Sequence, residues 1–331
     1  MDPVHALVPA EHASDHLLVV PDAAGVPEIP GLALAWFDDA AWLRPPRAAA
    51  ATGIVVGARF RGMRPRADGG AVPGTLRLGD AYRATGPFPV PEDAAHAFGL
   101  PGPAVAWALG RTDGTLDRRG ARPASYDDRD GIGRAFPGGV PEGEELRVVR
   151  WAVAVARRAG GIVLADGGRL VRPDPSAAVD LALWTSSVLP PADLLAVVRS
   201  LVATARAVAE DGSAGPSGYR VVAATPYDGT TVADVVRAAG LPPALAGLEP
   251  APGTVVYRVR WAPQDEYELQ VEHPSGLHLI ARARMRALHA RLVLALQRRV
   301  GGTAVDDHGF VLPAEELERR TAEVSGARPW V

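Results

Sequence analysis

The chain of 331 residues contains no cysteine, no lysine and no asparagine. The lack of cysteine excludes disulfides, thiol nucleophiles and thiolate metal sites. The lack of lysine excludes Schiff-base and pyridoxal-phosphate chemistry and the lysine of a phosphate-binding loop. The lack of asparagine excludes N-glycosylation. Because alanine, glycine, proline and arginine are abundant throughout, these absences indicate a GC-rich genome rather than selection for one function.

Strong charge and long apolar runs are also missing. The formal net charge is −3, which disfavours nucleic acid and anionic membranes as partners. No apolar run approaches the roughly 18 residues of a membrane span. The first 16 residues lack the basic and apolar regions of a signal peptide. The sequence therefore predicts a soluble cytoplasmic protein.

What the sequence does contain is an internal repeat with an offset of 141 residues. Residues 150–168 and 291–309 share the pattern Arg-Arg-x-Gly-Gly-x₄-Asp-x-Gly, and a second match lies at residues 93–101 and 234–242. The matched residues of the first pair are Arg150, Ala154, Arg157, Arg158, Gly160, Gly161, Asp166 and Gly168, which recur as Arg291, Ala295, Arg298, Arg299, Gly301, Gly302, Asp307 and Gly309. Two matches in one register predict duplication of a whole unit.

The length suits two units of about 150 residues each. We therefore predict an N-terminal arm at residues 1–30, repeat units at 31–175 and 176–315, and a C-terminal tail at 316–331. Both units have enough apolar residues to form a substantial core.

The periodicity of apolar residues predicts similar elements in the two units. Predicted strands cover residues 32–37, 53–60, 104–109, 115–119, 179–185, 219–224, 255–261 and 267–272, with terminal hairpins at 162–172 and 303–312. Predicted helices cover residues 92–99, 142–159, 191–210, 231–240 and 277–300. This order predicts an α+β fold with two ferredoxin-like units, each an antiparallel or mixed sheet with helices on one face.

The repeated motif has a structural interpretation. The first glycine of each pair can end a helix in the left-handed conformation, and the arginines before it face the negative end of the helix dipole. Asp166 and Asp307 begin tight turns. The alternative is that Asp166 and Asp307 form paired carboxylates in a cleft shared by the units.

Histidines supply the remaining candidates for chemistry. His12 and His16 have the four-residue spacing of helical metal ligands but lack a third ligand. Glu272, His273 and His308, with His278 and His289 near the last helix, are candidates for a histidine–carboxylate cluster. No cofactor-binding motif is present.

Three residues are candidates for binding a partner. Arg282 and Arg286 share a face of the last predicted helix and could contact an acidic partner or a phosphate. Trp330, near the C-terminus, could dock on a partner or on the fold itself.

No complete catalytic set emerges from these residues. The leading hypothesis is a non-catalytic binding or adaptor protein whose partner is another protein, with its interaction surface at the junction of the units. One alternative is an Asp/His-based hydrolase or metal-dependent enzyme that uses Asp166, Asp307, His308, His273 and Glu272. Another is a structural component of a larger assembly, which an exposed apolar patch would favour.

Overall fold

The chain divides into two compact units. The computed structural model describes residues 7–22, 28–47, 72–113, 119–121, 128–208, 218–246 and 253–322. Unit 1 comprises residues 1–33, 37–122 and 135–173, and unit 2 comprises residues 34–36, 123–134 and 174–331. Each unit is built on one seven-stranded antiparallel sheet, so the α+β class predicted from the sequence is confirmed.

The sheet of unit 1 has the strand order β2-β3-β4-β5-β1-β6-β7. Its strands are β1 (His16–Pro21), β2 (Trp42–Arg44), β3 (Gly74–Leu78), β4 (Tyr82–Val90), β5 (Ala104–Arg111), β6 (Ile162–Ala165) and β7 (Arg169–Val171). The helices that accompany them in the chain are α1 (Ile29–Leu34), α2 (Glu92–Ala97), α3 (Ile132–Ala135) and α4 (Gly143–Ala159).

The sheet of unit 2 has the order β9-β10-β11-β12-β8-β13-β14. Its strands are β8 (Leu181–Thr185), β9 (Arg206–Val208), β10 (Tyr219–Thr225), β11 (Gly229–Arg237), β12 (Val255–Ala262), β13 (Thr303–Asp306) and β14 (Val311–Leu312). The helices of this part are α5 (Pro191–Arg199), α6 (Gly276–Val300) and α7 (Ala314–Ala322). In both sheets the first strand lies between the fourth and fifth strands that follow it in the chain.

The core of each unit forms between its sheet and its longest helix. In unit 1, α4 contacts β1, β4 and β6, and the fully buried Trp151 donates from Nε1 to the carbonyl of Leu32 at 3.1 Å. In unit 2, α6 contacts β8, β11, β12 and β13, and its buried Leu292 and Leu296 join a core that includes Tyr257. None of the helices in the described part of the chain combines the length and apolar character needed to cross a membrane.

The glycine pairs of the repeat are explained by two different backbone requirements. Gly160 ends α4 with φ 68° and ψ 29°, the predicted left-handed cap, whereas Gly301 ends α6 with φ 66° and ψ −159°. The second glycines allow a close approach, because a Cβ on Gly161 or Gly302 would lie 2.3 Å from a carbonyl oxygen of the neighbouring strand. Only glycine permits that approach.

The predicted N-terminal arm contains a strand of the sheet. Residues 16–21 form β1, which pairs with both β5 and β6. Four of its six residues, Leu17 to Val20, are apolar and fully buried, the pattern of a strand covered on both faces. In the predicted C-terminal tail, residues 316–322 belong to helix α7.

Four of the predicted elements are wrong. Residues 32–37 were predicted as a strand, but α1 extends to Leu34. Residues 231–240 were predicted as a helix, but β11 occupies this region, because its Thr and Val residues alternate between buried and half-buried positions and β-branched side chains favour strands. The helix predicted for residues 191–210 ends at Arg199, where β9 follows after a short turn. The strand predicted for residues 267–272 is a 3₁₀ turn at Glu266–Leu269.

Most other predicted elements agree with the observed ones, among them α2, α4, β5, β8, β10, β12, α6 and the two terminal hairpins. The strand predicted for residues 53–60, and most of the one at 115–119, lie outside the described residues.

Candidate functional site

A cavity of about 270 Å³ opens in unit 2 beside the first turn of α6. Its walls come from the β10–β11 turn, from the end of β12 and the segment that follows it, and from residues 277–284 of α6. The hydroxyl of Ser275 accepts the backbone N–H of His278 at 3.3 Å and so begins the helix at this point, as N-cap serines commonly do. The cap therefore sets where α6 begins beside the cavity.

Two buried rings form the inner part of the cavity. Trp261, at the end of β12, is 6% exposed, and His278, in the first turn of α6, is 7% exposed. Their ring centroids lie 4.8 Å apart with an angle of 45° between the planes. The indole Nε1 of Trp261 donates to the backbone carbonyl of Asp228 at 2.7 Å, which joins the β10–β11 turn to this inner wall.

His278 carries a polar atom that the surrounding protein does not satisfy. Its Nε2 is buried and has no hydrogen-bond partner among the described residues. Burial lowers the pKa of His278, and the positive charge of Arg282 lowers it further, so the imidazole is neutral near pH 7. Because a buried polar atom without a partner costs free energy, this nitrogen lowers the stability of unit 2.

The rim of the cavity is acidic. Asp228, Asp265 and Glu268 are part of the lining, and the only cationic side chain among its residues is Arg284, whose Nη1 lies 3.3 Å from Oδ1 of Asp228. Glu268 accepts the backbone N–H of Ser275 at 2.7 Å, and this bond lowers the pKa of its carboxyl group. At neutral pH the rim therefore carries more negative than positive charge.

Large apolar side chains lie exposed around the same cavity. Tyr227 is 81% exposed and Leu277 is 82% exposed, and Ile280 is 39% exposed. We call the surface formed by these three residues the α6 surface. Single exposed apolar residues are ordinary, but a group of them beside a concave site is typical of an interaction surface.

A second polar cluster lies in unit 1, where it joins β1, α4 and the β6–β7 turn. The buried His16 and Glu145 meet with Nε2 and Oε1 3.2 Å apart, and Nδ1 of His16 lies 3.5 Å from Oδ1 of Asp166. Arg119 contacts Glu145 at 2.5 Å and Asp166 at 3.8 Å. Two residues that the sequence analysis placed in different candidate sites, His16 and Asp166, are thus neighbours.

The three acceptor groups of this cluster, on His16, Glu145 and Asp166, are close enough together for a metal ion, but the hydrogen bonds oppose one. Nδ1 of His16 accepts the backbone N–H of Asp166 at 2.9 Å, so the proton of the neutral ring lies on Nε2 and points to Glu145. A metal-bound histidine instead donates its other ring N–H. The guanidinium of Arg119 already supplies positive charge. We interpret the cluster as a structural ion-pair network.

His12 and His16 do not form a helical pair of metal ligands. His12 belongs to a short 3₁₀ turn, Ala10–His12, and His16 begins a strand. The Nδ1 of His12 lies 2.8 Å from the carboxylate of Asp15. The four-residue spacing of His12 and His16 therefore does not place them on one face of a helix.

The other candidates of the proposed hydrolase lie apart from the cavity. The side chain of Asp307 is 22% exposed, and its carboxylate lies 3.6 Å from Nε2 of His308. Glu272 forms an ion pair with Arg134 at 2.7 Å, and His273 is exposed. None of these residues, nor Asp166, lines the cavity beside α6.

The two arginines predicted to bind a partner are buried. Arg282 forms an ion pair with Asp174, and Nε of Arg286 donates to the carbonyl of Ala178 at 3.3 Å. Burial lowers the pKa of Arg286 to about 10. These side chains serve the interior of unit 2 rather than its surface. Trp330 lies outside the described residues.

The cavity is not predicted from the sequence. The sequence predicts His278 only as a member of a histidine–carboxylate cluster, and it assigns no part in a site to Trp261, Tyr227, Asp265 or Leu277. The available signal was the polar, acidic segment between a Trp-containing strand and a serine-capped helix. Comparison of the chain with protein-family models, curated proteins and solved structures finds no match.

Proposed function

We propose that the protein is a non-catalytic binding protein and that its α6 surface contacts another protein. The observation that carries the proposal is the exposure of Tyr227 and Leu277, both above 80%, on the edge of one cavity. Burying a Leu-sized side chain stabilises a complex by roughly 1.5–3 kcal/mol. Interfaces also gain most from a few large side chains around a well-packed centre.

The hydrolase alternative has less support. A general base needs a position in a pocket within reach of the proton that it removes. The candidate residues Asp166, Asp307, His308, His273 and Glu272 do not line the cavity, and Glu272 is engaged by Arg134. The third possibility, a component of a larger assembly, would use the same α6 surface.

We also infer that the two units arose by duplication. The common strand order of the two sheets supports this inference, as does the equivalent close approach of Gly161 and Gly302 to the first strand of their sheets. The ferredoxin-like character of the units stays a prediction.

The proposal is tested by peptide selection on the purified full chain. A phage-displayed library of random 12-residue peptides is selected on the wild type, and the enriched peptides are synthesised with a fluorophore and titrated by anisotropy. The test variant is Tyr227→Ser/Leu277→Ser, which shortens both exposed side chains without adding charge. The control is Val188→Ser, which shortens an exposed apolar side chain of unit 2 that does not line the cavity.

We expect the peptides to bind the wild type and Val188→Ser equally and the double variant at least tenfold more weakly. Equal binding by all three proteins, or no enrichment of any peptide on the wild type, would overturn the proposal. Circular dichroism of the three proteins checks that they are equally folded.

A further inference from the structure

We propose that the sheet of unit 2 binds an acidic segment of a partner protein on the face that α5 and α6 do not cover. The residues that carry the proposal are Arg206, Arg220, Arg258 and Arg260, with Val222 and Val232 between them, and we call this surface the arginine face. None of these residues belongs to the α6 surface, so the inference describes a second contact and does not rest on the first.

The register of the strands places these side chains on one face. Residues that pair across a ladder lie on the same side of a sheet, and side chains alternate between the two sides along each strand. The residues that alternate with the arginine face, such as Val221, Ala233 and Val259, belong to the core that α5 and α6 cover. One row of the opposite side runs Arg206–Val222–Val232–Arg260, and the next runs Val208–Arg220–Asp234–Arg258.

The corresponding face of unit 1 is apolar and covered. One of its rows runs Leu164–Leu17–Ala108 across β6, β1 and β5, and all three side chains are at most 1% exposed. They belong to a buried cluster that includes Ala95 of α2 but no residue of α4, a helix that the structure describes in full. Helix α2 thus helps to cover the face of this sheet that α4 does not cover.

Unit 2 has an exposed arginine in the matching row. Val305 follows Leu164 by 141 residues, the offset of the repeat, and its row runs Val305–Ala182–Arg258. The exposed Arg258 therefore occupies the place that the buried Ala108 has in unit 1. Because a charged group is costly to bury without a partner, an apolar cover like that of unit 1 does not suit this face, whereas an anionic partner does.

Positive charge predominates on the arginine face. Asp234 is 4% exposed, and it contacts Arg220 with one carboxylate oxygen and Arg260 with the other. Asp180, which precedes β8 and interacts electrostatically with Arg260, adds a second negative charge at the border. Four arginines thus meet two carboxylates, and the excess of positive charge attracts an anionic partner.

Three of the arginines are accessible to such a partner. Arg206 and Arg258 are exposed, and neither forms an ion pair with a residue in the described part of the chain. The side chain of Arg260 is 51% exposed although it contacts Asp234. A guanidinium can bind a carboxylate through two parallel hydrogen bonds, so these groups match the side chains of glutamate and aspartate.

The rest of the face favours a protein segment over a nucleic acid. Proteins that bind single-stranded nucleic acids stack the bases on aromatic rings, whereas the positions between Arg206 and Arg260 hold the half-buried Val222 and Val232. Valine side chains pack instead against apolar residues of a peptide. The net charge of −3 for the whole chain also disfavours a polyanion as partner.

The spacing of the strands sets the pattern expected in the partner. Arg206 and Arg260 lie at the two ends of one row, three strand spacings apart, which is about 14 Å. An extended peptide covers that distance in about four residues. The arginine face therefore predicts a segment with two carboxylates roughly four residues apart and an apolar residue between them, over Val222 and Val232.

The test is a peptide selection on a chain whose α6 surface is altered. The bait is Tyr227→Ser/Leu277→Ser, so peptides that need the α6 surface are not retained. Peptides enriched from a library of random 12-residue sequences are synthesised with a fluorophore and titrated by anisotropy. They are titrated against the wild type, Arg206→Gln/Arg258→Gln, and the control Arg169→Gln/Arg291→Gln, which removes the same charge from two exposed arginines outside the arginine face.

We expect the enriched peptides to be acidic and to bind the wild type and the control equally. Arg206→Gln/Arg258→Gln should bind them at least tenfold more weakly. Peptides in which glutamine and asparagine replace the acidic residues should bind the wild type at least tenfold more weakly as well. With Arg206→Gln/Arg258→Gln, the acidic and amide peptides should differ by less than threefold, because the variant lacks the groups that distinguish them.

The inference is wrong if no peptide is enriched, if the enriched peptides are not acidic, or if the control loses as much affinity as the test variant. An oligothymidylate of about 12 nucleotides is titrated in parallel. Tighter binding of this oligonucleotide than of the peptides, lost in Arg206→Gln/Arg258→Gln, would assign the face to nucleic acid and overturn the proposal. Since the bait lacks Tyr227 and Leu277, each of these outcomes leaves the proposed function of the α6 surface intact.

Discussion

His289 is fully buried in the middle of α6, and its two ring nitrogens are both engaged. Its Nδ1 lies 3.2 Å from the carbonyl of Val179, and its Nε2 lies 3.2 Å from the hydroxyl of Thr231. A carbonyl only accepts, so Nδ1 carries the proton and Nε2 accepts from the threonine hydroxyl. This arrangement is that of a neutral imidazole, and burial lowers the pKa of His289 from 6.5 to about 4.

A depressed histidine pKa makes the folded protein less stable in acid. The imidazole of the unfolded chain takes up a proton as the pH falls below about 6.5, whereas the folded state takes it up only near pH 4. The contribution to stability is therefore complete above pH 6.5 and is lost as the pH falls toward 4. With about 1.4 kcal/mol per pKa unit, the total loss is about 3 kcal/mol, and linkage gives about 2 kcal/mol between pH 7 and pH 5.

The measurement is urea denaturation of the wild type and His289→Gln at pH 7, 6 and 5, followed by far-ultraviolet circular dichroism. Glutamine is neutral at every pH and can still donate to Val179. Other groups titrate in both proteins, so the informative quantity is the difference between their free energies of unfolding. We expect that difference to shift by about 2 kcal/mol in favour of the variant from pH 7 to pH 5. The control His273→Gln removes an imidazole that water surrounds in both states. Parallel pH profiles for the wild type and His289→Gln would refute the reasoning.

Three further substitutions test other parts of the two units. Burial raises the pKa of Asp180 from 3.8 to about 6, so the free energy of unfolding falls as the pH rises through this range. Asp180→Asn should therefore stabilise the protein by about 2–3 kcal/mol at pH 7 but not at pH 4. Urea denaturation at both pH values measures this difference. Glu145→Gln removes the buried negative charge that Arg119 and His16 contact, so we expect a loss of about 1–3 kcal/mol in the same assay at pH 7; an unchanged midpoint would contradict the structural role of the cluster. Gly161→Ala places Cβ 2.3 Å from a carbonyl oxygen of β1, whereas the Cβ of Gly160→Ala meets open space and only its φ of 68° is unfavourable. We expect Gly160→Ala to cost about 1–2 kcal/mol. Thermal melts should give Gly161→Ala a clearly lower melting temperature than Gly160→Ala.

The elements that the sequence predicts well are those with one clear periodicity. Helix α4 has a buried apolar face and ends at Gly160, and β12 alternates buried and exposed residues from Tyr257 to Trp261. Each of these signals is local and is not changed by the rest of the fold. The central strand β1 escapes prediction because its central place in the sheet depends on pairing with β5 and β6, which are distant in the chain.

The cavity could not be predicted from the sequence because it depends on how three segments meet. The β10–β11 turn with Asp228 reaches Trp261 through one hydrogen bond, and residue 231, which opens a predicted helix, instead belongs to the strand after that turn. The acidic residues, by contrast, were visible in the sequence as charges near arginines, which is the usual pattern of a solvated surface.

The equivalent helices of the two units carry opposite charges at one buried position. Glu145 in α4 and Arg286 in α6 are separated by 141 residues, the offset of the repeat, and both side chains are buried. Glu145 accepts from His16 and Arg119 in unit 1, while Arg286 donates to the carbonyl of Ala178 in unit 2. A buried charge requires its own partners, so exchanging these two residues would leave both interiors with unpaired groups. The proposed duplication has therefore kept the backbone requirements, such as the glycine pairs, while the polar interiors have diverged. On this interpretation, a binding site in one unit does not imply an equivalent site in the other.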